Sequence, residues 1–400
     1  MNEGDKVAAG ATFSGSLHDI FEGIHGLLKS GNPGPLRVVY IECGAAPATN
    51  GADSGAAGAA GVPATSTGDM AGSPAYTLEW NLQGHAVIAY MAEQILQDEA
   101  PETYRALLDV IAADPFNRGD VGELAMWPDR IKHPPPKERD TYQQNGWIAL
   151  GKQTQPWHFI DIPYHPGTTG EPEIPGGDDT ILGGLPSQLA VLAARPDPER
   201  TANALGFVLH LVGDLHQPLH CACLATEHYK APKFDMGGNL VTWSKSSSLH
   251  ALWDDSVAAK ASQVASTTAK LLEKFPRSAF DRETSQDLTD WARDSHMVAR
   301  KAYDRFLAET TYDAQTQRYT APSKAYRAWA LDVCQERAAL AAYRLADLLV
   351  KTLRAGGNGH AKAGGNGHAK AGNGHAKAGN GHAKASGTAT ATGKPKRRRR

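Results

Sequence analysis

The stretch from Thr201 to His220, TANALGFVLHLVGDLHQPLH, sets the tightest limit on what this chain can fold into. Its leucines, valines, alanines and Phe207 have helical spacing and leave little polar surface, so the helix belongs inside a core. Yet it carries His210, Asp214, His216 and, past Pro218, His220. Buried charged groups are costly unless they are paired or bound to metal. The fold must therefore enclose this helix and supply partners for its polar residues.

Helix geometry sorts those residues. Each residue advances about 100°, so His210 and Asp214, four apart, project from one face, as a shared metal ion requires. His216 sits about 200° round from Asp214 and points elsewhere. Pro218 ends or bends the helix, which frees His220 to turn back toward the same site or a neighbouring one. The segment LHALWDD repeats the i, i+4 arrangement with His250 and Asp254. WNLQGHAV adds His85 at an apolar helix start, MWPDRIK places Asp129 after a Trp-Pro turn, and PWHFIDIP sets His158 and Asp161 in an apolar context. A single buried histidine is usually a satisfied core residue, but this set is too large for that account. Mixed imidazole and carboxylate ligands suit zinc. Their number exceeds one tetrahedral site, so a cluster is expected.

The rest of the sequence confines the fold. Residues 1–79 are read as a low-complexity extension and linker. LHDIFEGIHGLL has helical spacing, but residues 44–75 are Ala, Gly, Ser, Thr and Pro and bury too little apolar area to offset chain entropy. Helical patterns then follow at 80–96, 102–112, 185–194, 201–216, 249–275, 285–307 and 325–353. GNLVTW is the best strand pattern, and KHPPPKERDTYQQNG and YHPGTTGEPEIPGGDD read as loops. Residues 80–354 thus form one mostly α-helical domain with a small β-hairpin. Residues 355–400 repeat GGNGHAK and GNGHAK before GKPKRRRR, and are expected to be disordered.

Charge divides the chain at the same boundary. Ten of its 41 basic residues and none of its 43 acidic ones follow Arg354, which leaves residues 1–354 at a formal net charge of −12. A basic tail on an acidic body suits contact with nucleic acid or another anionic surface. No apolar run approaches the roughly 18 residues of a membrane span. Residues 1–10, MNEGDKVAAG, lack the positive start of a signal peptide. With four cysteines there is no disulfide scaffold. Cys221 and Cys223 are too close to pair comfortably, one of them can bridge to Cys334, and three reduced thiols are the other reading.

WNLQGH, WPDRIK, WHFIDIP, FVLHLVGDLHQPLH, DMGGNLV and LHALWDDS occur in this order over residues 80–256. Together they resemble the S1/P1 nuclease family, within the phospholipase C/P1 nuclease superfamily. The resemblance implies a zinc-dependent hydrolase, usually monomeric and secreted or periplasmic, that cuts single-stranded DNA or RNA to 5'-phosphate products and removes 3'-phosphates. It also implies three zinc ions. Asp129, His158, His210 and Asp214 would bind one. Asp214 would also reach a second, held by His85 and by the amine and carbonyl of Trp80. His220, His250 and Asp254 would bind the third. In the family the tryptophan is the first residue of the mature chain. Here 79 residues precede Trp80, and without a free amine there the expected number is two.

By the same resemblance Lys132 and Asn239 hold phosphoryl oxygens, so Asp129, Lys132 and Asn239 are the expected catalytic residues. Phe159 stacks on the nucleobase and Asp161 reads its edge, although core packing explains Phe159 nearly as well. Two alternatives share many of these features. A zinc-dependent phospholipase C has a similar helical cluster, but the GGN turn and WHFID favour the nuclease. A non-catalytic, zinc-stabilised nucleic-acid-binding protein would use the basic tail instead.

Overall fold

The computed structural model describes residues 82–357, apart from residues 259 and 284. Trp80, the N-terminal extension and the repeat tail lie outside the described residues. Eleven α-helices run through the described part: α1 (Leu82–Glu99), α2 (Pro101–Ala112), α3 (Val121–Lys132), α4 (Arg139–Gln144), α5 (Trp147–Thr154), α6 (Ile181–Ala194), α7 (Pro198–His216), α8 (Leu249–Asp254), α9 (Val264–Lys274), α10 (Leu288–Glu309) and α11 (Lys324–Gly357). No helix among them is long and apolar enough to cross a membrane. The only sheets among the described residues are two-stranded: β1 (Pro163–Tyr164) parallel to β2 (Cys223–Leu224), and the antiparallel pairs β3 (Thr242–Ser244) with β4 (Ser247–Ser248) and β5 (Tyr312–Asp313) with β6 (Arg318–Tyr319). The described part is mostly α-helical, as its periodicity predicts.

Helix α7 is the axis of the core. Every residue from Ala204 to His216 is buried. Helices α1, α3, α6, α10 and α11 pack around it. Its start is sharply defined: Asp197 accepts the Arg200 N–H at 2.8 Å and Pro198 supplies a preset φ. Two other helices that carry candidate ligands start in the same way. Asp120 caps α3 through the N–H groups of Gly122 and Glu123, and Ser248 caps α8 through that of Ala251. Each such cap is worth about 1 kcal/mol.

The main departure from the sequence reading lies in α3. The Trp-Pro turn expected before Asp129 is a helix, with Pro128 inside it. Proline cannot supply the N–H that the Leu124 carbonyl would normally take. Core packing offsets that loss: Trp127 is 1% exposed and meets Phe207 and Trp147 edge-on. The close approach of α3 to α7 needs Gly206, where a Cβ would lie 3.2 Å from the Leu124 carbonyl oxygen.

Two further differences have local causes. The continuous pattern over 249–275 breaks into α8, an irregular segment and α9. The break follows Asp254, where the Ser256 hydroxyl bonds back to the Leu252 carbonyl at 2.6 Å. The Pro-rich segment after Lys132 contains α4, which anchors itself by burying Tyr142 edge-on to Trp147. Cys221, Cys223 and Cys334 are buried free thiols, so the disulfide alternative does not hold.

Candidate metal centre

Four segments bring their polar residues to one place. Helix α1 delivers His85, α3 delivers Asp129, the 3-10 turn Gln155–His158 ends on His158, and α7 delivers His210 and Asp214. The His85 ring stacks on that of His210 with centroids 3.7 Å apart. This contact depends on Gly213, because a Cβ there would lie 2.9 Å from His85 Nδ1.

Within this half of the centre, His85, His210 and Asp214 form one group that can hold a metal ion, and Asp129, His158 and His210 form another. The carboxylate of Asp214 faces both ways. Its Oδ2 lies 2.9 Å from His158 Nδ1 and 3.1 Å from His210 Nε2. Its Oδ1 lies 3.4 Å from His85 Nε2 and 3.3 Å from His220 Nδ1. Asp129 Oδ1 stands 3.4 Å from His210 Nε2 and 3.9 Å from His158 Nδ1.

A third group is formed by His220, His250 and Asp254. The two imidazoles stack at 5.1 Å, 8° from parallel. His250 Nε2 is 3.2 Å from Asp254 Oδ2, and His220 Nε2 is 3.8 Å from Oδ1. His220 reaches this position from the 3-10 turn Pro218–Cys221 that follows α7, which answers where the residue past the proline goes. The tight turn at 234–240 packs behind His250. Gly237 takes φ +62°, where a Cβ would strike the Leu219 carbonyl oxygen at 2.7 Å, and its own carbonyl receives His250 Nδ1 at 2.7 Å.

Whether these groups suit a metal ion can be judged from their hydrogen bonds. His210, His220 and His250 each direct Nδ1 at a main-chain carbonyl: Ala125 at 2.8 Å, His158 at 3.0 Å and Gly237 at 2.7 Å. A carbonyl accepts only, so Nδ1 carries the proton and the neutral ring turns the Nε2 lone pair inward. That is the usual arrangement behind metal-bound histidine. Those lone pairs face carboxylate oxygens, which also only accept, so each contact needs a metal ion or a proton between its atoms. Asp214 Oδ1 is buried and receives no hydrogen bond among the described residues. The donor set fits a divalent ion such as zinc.

The same electrostatics shift the titrating groups. Burial would raise the Asp129 carboxyl, but Lys132 and His210 outweigh it and hold it well below the ordinary range. His210, His220 and His85 likewise outweigh burial at Asp214. Burial, reinforced by His210, lowers His85 to about 3. At His210 burial acts downward, but Asp214 and Asp129 overcome it and lift the ring to about 10.

The other sequence candidates are distributed around this centre. Lys132 Nζ lies 2.8 Å from Asp129 Oδ1. Asn239 follows Gly238 in the turn behind His250 and donates its side-chain amide to the Met236 carbonyl at 3.0 Å. Phe159 is half-buried, and its carbonyl takes the Ile181 N–H. Asp161 is exposed, yet loss of water raises its carboxyl pKa above the ordinary value. His216 takes no part in the centre. Its Nδ1 donates to the Val212 carbonyl and its Nε2 accepts from Arg344.

Two participants were missed by the sequence reading. Gln217 donates from Nε2 to Asp254 Oδ1 at 2.6 Å. Asp235 anchors the 234–240 turn, accepting the Leu224 N–H at 2.6 Å and the Tyr303 hydroxyl at 2.7 Å. Both lie inside the quoted motifs, but neither has a helical partner whose spacing would mark it.

A helix-rich fold closed around buried groups of imidazoles and carboxylates defines a protein with an interior able to hold metal ions. The family model described as S1/P1 Nuclease matches residues 80–354, and the chain belongs to that family. It is similar to Endonuclease 4 of Arabidopsis thaliana, at 27% identity over 192 residues, covering 44% of this chain and 55% of that protein. It is also similar to Nuclease S1 of Aspergillus oryzae, at 27% over 208 residues, covering 49% of this chain and 62% of the relative. Nuclease P1 of Penicillium citrinum is 24% identical over 182 residues, covering 44% and 57%. The matched region thus spans little more than half the length of these relatives.

Proposed function

We propose that this protein is a zinc-dependent phosphodiesterase and phosphomonoesterase that cleaves single-stranded DNA or RNA to 5'-phosphate products and removes 3'-phosphates from nucleotides. The observation that supports it most is the divided carboxylate of Asp214, one oxygen toward His158 and His210 and the other toward His85 and His220. Such a residue can join two neighbouring metal positions. In this reading Asp129, His158, His210 and Asp214 hold one zinc, Asp214 and His85 contribute to a second, and His220, His250 and Asp254 hold a third. Trp80 would complete the second where it forms the first residue of the chain. Zinc, when bound, supplies Lewis-acid polarisation of a phosphoryl oxygen and makes the hydrolytic water acidic near neutral pH.

The chain's own residues orient the substrate. Lys132, drawn to Asp129 at 2.8 Å, places a fixed positive charge at the edge of the centre, where it can meet a phosphoryl oxygen. Asn239 is assigned the same task from the turn that braces His250. Phe159 offers a ring face that accepts any base, and Asp161 a carboxylate for the base edge. Unpaired strands expose those base faces, whereas a duplex hides them. The ten basic residues after Arg354 are assigned to holding further nucleic acid.

The deciding experiment incubates purified, zinc-loaded protein with single-stranded oligonucleotides. Cleavage that leaves 5'-phosphate ends, stops with chelator and returns with zinc is expected. Intact oligonucleotide alongside phosphocholine released from lecithin would overturn the proposal in favour of a phospholipase. Binding of the strand without cleavage would overturn it in favour of a non-catalytic binding protein.

A further inference from the structure

Gln217 stands where the two halves of the centre meet. Its main-chain N–H returns to the Asp214 and Gly213 carbonyls, and its carbonyl accepts the His220 N–H at 3.1 Å. Its side chain is completely buried. Oε1 accepts the Leu219 N–H at 2.5 Å, which fixes the amide orientation, since only an acceptor can face that donor. Nε2 must then face Asp254, where it donates to Oδ1 at 2.6 Å. The partner lies 37 residues on, at the last position of α8.

We propose that Gln217 is a positioning residue that fixes the orientation of the Asp254 carboxylate in the His220–His250–Asp254 group. The inference rests on reading that group as a metal site. With Oδ1 held by the amide, the carboxylate is fixed so that Oδ2 faces His250 Nε2 at 3.2 Å and Oδ1 faces His220 Nε2 at 3.8 Å. The amide orients Asp254 without cancelling its charge, which an ion needs. Lys132 at Asp129 is the contrast, because there a full positive charge meets the carboxylate. Residue type is constrained on both sides. Glutamate would put a carboxylate against Asp254, methionine would fill the space without donating, and asparagine is one carbon too short to span the gap.

The test is a zinc titration of the full-length protein and of Gln217→Met against a competing chelator, with zinc per chain counted by mass spectrometry. The melting temperature of each metal-free form is recorded alongside. Loss of a ligand-orienting hydrogen bond is expected to weaken one class of zinc site roughly 10- to 100-fold and leave the other zinc affinity unchanged. Unchanged affinity at every site overturns the proposal. Equal weakening of all sites in step with a lower metal-free melting temperature also overturns it, since that is the mark of a general structural role. Should Gln217→Met fail to fold, Gln217→Glu decides the matter, because it keeps the acceptor for Leu219 and turns a carboxylate oxygen instead of a donor toward Asp254. Zinc binding by Gln217→Glu at wild-type strength overturns the proposal, and selective weakening of one site supports it. A wild-type protein that takes up no zinc overturns the metal-centre reading itself, a result distinct from any difference between the variants.

Discussion

Nε2 of His216 accepts a hydrogen bond of 3.0 Å from Nη1 of Arg344. His210 lies on the same helix, six residues earlier and about 240° round in the opposite sense, with its Nε2 between two carboxylates. One helix therefore serves two purposes: one face feeds the centre, and another ties α7 to α11.

This division separates two histidine variants. His210→Ala and Asp214→Asn are each expected to abolish phosphodiester hydrolysis and to reduce bound zinc. His216→Ala should retain its zinc but lose about 1–3 kcal/mol of stability, because Arg344 is left without its buried acceptor. Zinc content and denaturation midpoints of the three variants check this, and equal zinc loss in all of them would sink the geometric distinction.

Removal of metal should be felt as loss of stability. Inward imidazole nitrogens and buried carboxylates that have neither an ion nor a proton between them repel. At a hundredfold excess over Kd, each ion that binds only the folded chain contributes about 2.7 kcal/mol. Chelation is expected to lower the melting temperature and zinc to restore it, as measured by thermal denaturation. A melting temperature indifferent to chelator would refute the expectation.

Gly213→Ala should damage function out of proportion to stability. Alanine favours a helix over glycine by about 1 kcal/mol. Its Cβ, however, would lie 2.9 Å from His85 Nδ1 and push that ring off His210. Activity and zinc content should fall while the denaturation midpoint of the metal-free form changes little. Full activity in this variant would show that the contact with His85 is not needed.

The buried carboxyl of Asp235 gives a pH signature. Burial raises it to about 7, against the opposing hydrogen bonds from Tyr303 and Leu224. A group whose folded pKa exceeds its unfolded value of 3.8 stabilises the protein fully below that value, and the contribution is lost as pH rises through about 7. Relative to Asp235→Asn, the wild type should therefore lose about 2 kcal/mol between about pH 5.5 and pH 7, at roughly 1.4 kcal/mol per unit. Urea denaturation of both proteins across this range measures it, and a constant difference would contradict it.

What the sequence made legible follows from periodicity. The shared faces of His210 with Asp214 and of His250 with Asp254 can be read from a spacing of four, because a helix fixes that geometry. The mostly helical fold is legible for the same reason. Pro128 concealed α3, because a lost hydrogen bond is visible in sequence while the packing of Trp127 that offsets it is not. Gln217 and Asp235 were hidden because their partners are distant in sequence. The position of His220 stayed open until the turn after Pro218 placed it between Asp214 and Asp254.

The three imidazoles anchored through Nδ1 rely on the oxygens of Ala125, His158 and Gly237, which belong to the main chain. Every amino acid carries such an oxygen. Substitution at position 125 can therefore change the side chain and keep the anchor, provided α3 holds its path. Position 237 has less latitude, because its backbone angle favours glycine. A centre braced in this way tolerates extensive sequence drift around it. That tolerance accords with relatives that share barely a quarter of their aligned residues with this chain.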